Sequence, residues 1–290
     1  MTNDGQPSAV RDRSRQEAGD AMRLPQDAVI VNADDWGRDS FTTDRSLACV
    51  QRRAISSVSA MVFMEDSRRA AELAREHNVD AGLHLNFTLA YSAPHCPSRL
   101  MDHQEKLSRF LTAHRLAPMV YHPGLASSFE YVVHMQFEEY ERLYGAPAKR
   151  VDGHHHMHLG ANVLRQQLIP VGIIVRRNLS FGPGEKGFLN RFYRRRQDLL
   201  LTRRHRLTGF FFDLQPLDSR KRFEAILDLA DRFDVEIETH PVRDDEFRFL
   251  IDGELLRGTS GVGVSLGYIL RFSESASVAG NTSPAEPAWR

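Results

Sequence analysis

A chain of 290 residues with 41% hydrophobic content is long enough to bury one sizeable core, and an α/β or all-β barrel of that length commonly forms a single domain. Its 38 basic and 38 acidic side chains cancel, so no global field draws it to nucleic acid or to an anionic membrane, and any such contact has to come from a local patch. Cys49 and Cys96 are the only cysteines, too few for a disulfide framework or a four-cysteine zinc site, and they suit a reducing cytoplasm.

Residues 1–27 mix polar and charged side chains without an apolar run and are expected to be a disordered extension with no secretory signal. From Ala28 onward, short β-branched runs alternate with longer amphipathic segments, the pattern of βα units. Ala28–Asn32 reads as a buried strand, Thr43–Arg53 as a helix and Ile55–Val62 as a second strand. Asp66 is placed to cap a helix running to about His77. Asp80–Phe87 is a third strand, followed by a long Pro- and His-containing loop through about His103. Phe129–Tyr144 has helical periodicity and stops at Gly145, and Arg150–Gly153 is a short strand. Further strands are expected at Ile173–Arg176, Gly209–Phe212 and Val235–Thr239, with a helix over Lys221–Phe233. Residues 273–290 are rich in Ser, Ala, Pro and Gly and read as a disordered tail. About six or seven βα units without a glycine-rich dinucleotide fingerprint favour a deformed (β/α) TIM-like barrel over 28–272. No stretch of roughly 18 uninterrupted apolar residues, the length of a membrane-spanning helix, occurs.

Four clusters at the C-terminal ends of predicted strands carry the chemistry, and that is the end where such barrels build their sites. Asn32-Ala33-Asp34-Asp35-Trp36-Gly37 places two adjacent carboxylates after a hydrophobic strand. Adjacent residues on a regular strand face opposite sides, so both reach one site only through a bend, for which Gly37 is suited; alternatively the pair caps the next helix. Gly82-Leu83-His84-Leu85-Asn86 ends a strand on a histidine that is either a ligand or a hydrogen-bonded core residue. Asp152-Gly153-His154-His155-His156-Met157-His158 packs four histidines into five positions, and its apolar flanks favour a specific metal site over a scavenging tract. Glu238-Thr239-His240-Pro241 closes the last strand. Together the clusters supply a carboxylate and two imidazoles for a metal, a carboxylate base and a histidine acid, which suffice for amide hydrolysis.

The string Val31–Gly37 resembles the opening motif of YdjC-like carbohydrate deacetylases, which usually carry Phe where this chain has Trp36. Ile55–Val62, Gly82–Leu85 and Val151–His158 are similar to the family's next three motifs in order and spacing. The resemblance covers roughly Ala28 to His240. It implies a deformed barrel, often dimeric, that binds one divalent ion (Mg or Zn, with Mn or Co also compatible) and deacetylates N-acetylated sugars. By position, Asp35, His84 and His154 would be metal ligands, Asp34 the general base and His240 the acid, with Asp152 orienting a neighbouring imidazole.

One stretch does not map onto that pattern. Asn190–Leu207 interleaves seven arginines with Phe192, Tyr193 and Leu199–Leu201. Its favoured reading is a solvated helix with its apolar side on the barrel; the alternative is a patch for an anionic substrate or peripheral membrane contact. Arg176 or Arg177 could also reach the site from a strand end. Competing functions are hydrolysis of another amide, an ester or a phosphoester, or a metal- or sugar-binding module without catalysis. Nucleic-acid binding ranks last on the neutral charge.

Overall fold

The computed structural model describes residues 28–181, 185–230, 232–257 and 263–264. The expected N-terminal extension over 1–27 and the tail over 273–290 lie outside the described residues. The elements run β1 (Ala28–Trp36), α1 (Ser40–Gln51), β2 (Ser57–Ala60), α2 (Ser67–Glu76), β3 (Asp80–Leu85), α3 (Ser98–Ala113) and α4 (Ala126–Tyr144). They continue as β4 (Arg150–Gly153), α5 (Ala161–Gln166), β5 (Ile174–Val175), α6 (Phe188–Leu201), β6 (Phe210–Asp213), α7 (Arg220–Ala230), β7 (Val235–Thr239), α8 (Asp244–Ile251), α9 (Glu254–Arg257) and β8 (Gly263–Val264).

Seven strands lie side by side in the order β5-β4-β3-β2-β1-β7-β6, and β8 pairs with the start of β1. Every pairing is parallel, as right-handed βα crossovers require. The sheet curls into an incomplete barrel. Its two edges, β5 and β6, are bridged where Val175 N–H donates to Arg206 O at 2.9 Å and Ser180 N–H to Phe211 O at 2.7 Å. No helix among the described residues is long and apolar enough to cross a membrane.

Outward-facing side chains of the strands, among them Val29, Val31, Val58, Leu83, Leu85 and Val151, are fully or almost fully buried beneath the helices. Small residues Ala70, Ala71 and Ala74 let α2 approach closely. The interior is different: apart from a small cluster of Ile30 and Ile174, and Phe211 against Arg176, it is lined by polar side chains. The register sets Asn32 beside Ser57 and Glu238, Ser59 beside Gly82, and His84 beside Asp152. Two arginines, Arg150 and Arg176, enter this lumen and are 2% and 1% exposed. A Cβ on Gly82 would come within 2.6 Å of Arg150 Nη1, so only glycine leaves room for that guanidinium.

Three local expectations are corrected. Asp66 does not cap α2; its carboxylate is held by Arg69 at 2.8 Å, while Ser67 Oγ takes the hydrogen bond of Met64 N–H. The loop expected through His103 becomes α3 from Ser98 onward, whose buried stripe is Leu100, Gln104, Leu107 and Leu111. Gln104 sits in that stripe because its amide donates to the carbonyls of Phe87 and Leu89 just past β3. The third correction concerns α6. Its buried residues are Gln197, Asp198 and Leu201, and its other apolar side chains face away from the barrel.

Candidate metal centre

β1 delivers both carboxylates to one place by breaking its own regularity. The β1–β2 register shifts between Ala33 and Trp36, and Asp35 takes a left-handed backbone, φ 67°. The bend expected at Gly37 therefore begins two residues earlier, at a side chain that disfavours it, and Gly37 follows at φ 87°. Trp36 anchors the turn: it is fully buried and its Nε1–H donates to Ala70 O at 3.1 Å. Across the lumen, the turn after β4 holds His155 and His156 at φ 53° and 56°, a second strained segment that aims His154 inward.

Asp35, His84 and His154 come together. Asp35 Oδ1 lies 3.0 Å from His154 Nδ1 and 3.4 Å from His84 Nε2, and one donor atom from each residue falls within 4.8 Å of the others. His84 Nδ1 is 2.8 Å from Asp152 Oδ1, which fixes the ring and turns Nε2 toward the carboxylates of β1. Nε2 is buried and has no well-formed hydrogen bond among the described residues. A buried nitrogen aimed at an anionic cluster is what a divalent cation requires, and the donor set of one carboxylate and two imidazoles leaves positions for water and substrate. The residues present fit such an ion. A second cluster, Asp34, His84 and Asp152, is equally compact, but arginine already neutralises both of its acids.

The electrostatics agree with that fit. Burial alone would push the His84 pKa down, but Asp34 and Asp152 outweigh it and raise it to about 10. Without an ion, the cluster recruits a proton in its place. Burial would raise Asp35, yet the hydrogen bond from His154 and the closeness of the His84 ring hold it well below its usual value.

Asp34 meets Arg176 in a two-pronged ion pair, at 2.7 and 2.8 Å, and also accepts from Asn32 Nδ2 at 2.8 Å. These contacts overcome desolvation and keep its pKa below the ordinary carboxylate value, so it stays ionised. Its Oδ2 is 4.0 Å from His84 Nε2. Arg176 is thus the arginine that faces the site; Arg177 turns away to Asp198 at 2.7 Å. Arg176 also touches Asp152 at 3.0 Å, Glu236 at 2.7 Å and Glu238 at 3.3 Å. Glu238 behaves oppositely to Asp34: burial, then the repulsion of Asp34, hold its proton well above the usual carboxylate range. Its Oε1 is 3.5 Å from His156 Nε2, whose ring burial drives down to about 3. One ionised and one protonated carboxyl therefore stand on either side of Arg176.

His240 is not among the three gathered donors; it follows Thr239, which pairs with Ala33 just before Asp34. It ends β7 half-buried, its backbone N–H donates to Glu246 Oε2 at 2.6 Å, and its Nδ1 is buried without a hydrogen-bond partner among the described residues. It is close enough to the exposed His155 to act on it electrostatically. His158 is structural: Nε2–H donates to Arg176 O at 2.9 Å. Sequence reasoning assigned no role to Glu236 or Glu238. The signal for them was the alternation Val-Glu-Ile-Glu in β7, which puts both acids on one face.

A cleft of about 450 Å³ opens beside the cluster, walled by His155, His156, Met119, Asn178, Leu189 and Tyr193.

A family model described as YdjC-like protein matches residues 28–259. Among relatives, the chitooligosaccharide deacetylases of Proteus mirabilis (strain HI4320) and Yersinia pestis (strain Pestoides F) are 28% and 29% identical over 132 residues, covering 45% of this chain and 50% of theirs. The chain thus spans about half the length of these curated relatives. A solved structure from Enterococcus faecalis V583, described as a cellobiose-phosphate cleavage protein, superposes with a TM-score of 0.57 at 16% identity, over 82% of this chain and 96% of that one, and shares the fold. With Asp35, His84 and His154 gathered at the strand ends and the family match spanning residues 28–259, the chain belongs to the YdjC-like proteins.

Proposed function

We propose that the protein is a metal-dependent carbohydrate deacetylase, hydrolysing the acetamide of an N-acetylated sugar to acetate and a free amine. The observation that carries the reading is the convergence of Asp35, His84 and His154, with the His84 nitrogen buried and unbonded, next to an ionised Asp34. The likeness to chitooligosaccharide deacetylases supports the sugar as substrate.

Asp35, His84 and His154 would hold the ion. Mg or Zn suits the set, and Mn or Co is compatible. When bound, it supplies Lewis acidity to a carbonyl and lowers the pKa of a neighbouring water. The chain's own groups do the rest. Asp34 Oδ2, ionised and 4.0 Å from His84 Nε2, takes the proton of the attacking water. Arg176 keeps that carboxylate oriented and anionic, and the same pairing lowers its strength as a base. Asp152 holds the His84 ring by Nδ1. His240, with one ring nitrogen unbonded, protonates the departing amine as substrate fills the cleft. The two free cysteines accord with a cytoplasmic setting, and the family resemblance with a homodimer.

Metal-reconstituted protein and its His154→Ala variant, given a panel of N-acetylated sugars and assayed for acetate, test the reading. Metal-dependent release lost in the variant supports it. No acetate from any sugar, despite stoichiometric metal bound by the wild type, sinks it.

A further inference from the structure

Helix α6 wears its chemistry inside out. Phe188 and Leu189 are each 80% exposed, and Phe192, Leu199 and Leu200 are 55%, 59% and 50% exposed. At about 100° per residue these five side chains share one arc of roughly 120°, the width by which an amphipathic helix normally meets a core. The face that meets the barrel is largely polar instead. There Asp198 holds Arg177 at 2.7 Å and Asn178 at 2.9 Å, and Gln197 donates to Leu159 O at 3.2 Å. These bonds fix the helix with its apolar side outward, so the exposure is built in.

The same segment is the most cationic of the chain. Residues 190–207 hold seven arginines and a single acid, Asp198, which is buried against the barrel. Arg195 is exposed at the edge of the apolar arc and Arg196 within it, between Phe192 and Leu189, and Arg203 and Arg206 are exposed just beyond the helix end. An apolar stripe bordered by arginines on a protein of zero net charge is complementary to one kind of surface, an apolar layer faced with anions. A second copy of this chain would cover the apolar arc but would set arginine against arginine.

We propose that α6 docks on an anionic lipid bilayer, with Phe188, Phe192 and Leu199 at the headgroup boundary and the flanking arginines on lipid phosphates. The docking surface runs into the cleft. Leu189 and Tyr193 wall it together with His155 and His156, and the opposite lip carries Leu116 and Met119, which are also exposed. A docked protein therefore opens its site at the lipid interface. On the deacetylase reading above, that makes the substrate an N-acetylated sugar borne on a lipid; the docking itself does not depend on that reading.

The test is co-sedimentation of the full chain with vesicles of phosphatidylcholine alone or mixed with phosphatidylglycerol. It is run on the wild type, on Phe192→Ser/Leu199→Ser and on Arg196→Glu/Arg203→Glu. The wild type is expected to bind the anionic vesicles at least about tenfold more tightly than the neutral ones, with binding weakened by salt, and each variant to lose at least about tenfold. All four substituted side chains are exposed and outside the cleft, so circular dichroism and acetate release from soluble N-acetyl sugars should not change. Wild-type protein that stays in the supernatant with anionic vesicles overturns the proposal, whatever the variants do. So does vesicle binding that Phe192→Ser/Leu199→Ser leaves intact. Self-association in sedimentation velocity that this variant abolishes, without vesicle binding, would give the face to a second copy instead. Because vesicle binding and acetate release are read separately, failure of the docking and failure of the deacetylase reading are distinguishable.

Discussion

Asp152 divides its two oxygens between the candidate ligand and the charges that hold the lumen together: Oδ1 lies 2.8 Å from His84 Nδ1, while Oδ2 accepts from Ser59 Oγ at 2.5 Å and meets Arg176 at 3.0 Å. Orientation of the imidazole and neutralisation of the guanidinium thus run through one carboxylate. Asp152→Asn should lower divalent-ion affinity about 10- to 100-fold. The drop is read by isothermal titration calorimetry with zinc or magnesium. Unchanged affinity would mean that Asp152 does not orient the ligand.

His84 ties stability to pH. Its pKa in the ion-free fold, about 10, lies above the ordinary 6.5, so the protonated ring stabilises that fold. The contribution, on the order of a few kcal/mol, is fully present below the unfolded value and is lost as pH rises through about 10. Chelator-treated protein should therefore melt at progressively lower temperature from neutral pH to pH 10, and His84→Ala should flatten that dependence. Binding of the ion near neutral pH should release a proton, seen as a calorimetric enthalpy that varies with the buffer's ionisation enthalpy.

The two carboxyls beside Arg176 should respond differently to the loss of charge. Glu238 keeps its proton, so Glu238→Gln replaces one neutral group by another and should change stability by no more than about 1 kcal/mol. Asp34→Asn removes an ionised partner at 2.7 Å from a buried guanidinium and should cost about 3–5 kcal/mol. Urea denaturation of both variants decides, and equal losses would refute the assignment of protonation states.

Gly82→Ala should destabilise by about 1–3 kcal/mol, because the new methyl meets Arg150 at 2.6 Å and the guanidinium is pinned by Val58 O, Asp80 O, Asn32 and Ser59. A wild-type melting temperature in that variant would show that Arg150 has room to move.

The convergence of Asp35, His84 and His154 was legible in the sequence because each stands at or just past the end of a short hydrophobic strand, and strand ends converge in a barrel of this kind. Their separation from Asp34 was legible only in part. Which of two neighbouring acids turns inward depends on the left-handed backbone at Asp35, a conformation that side-chain identity disfavours. Arg176 and Arg177 were indistinguishable for the same reason: a strand of two residues, Ile174–Val175, ends just before them. Glu236 and Glu238 were hidden by the alternation rule itself. Val-Glu-Ile-Glu reads as a strand with one wet face, whereas here helices cover the valine side and the glutamate side is the lumen. In α3 and α6 a polar residue occupies the core-facing stripe, Gln104 for stray carbonyls and Asp198 for Arg177, so apolar periodicity alone missed the first helix and turned the second around.

The lumen also ties distant parts of the chain to one another. Arg176 stands 142 residues from Asp34 along the chain and 60 from Glu236, and it is the cation they share. Strands β1 to β4 bring Asp34 and Asp152 inward with Arg150, 3.9 Å from Asp152, as their own cation, and the two-pronged partner of Asp34 comes only with Arg176 after β5. The acids of β1 and β4 and the glutamates of β7 all reach a guanidinium that only the end of β5 supplies, so the neutrality of the lumen rests on contacts far apart in sequence.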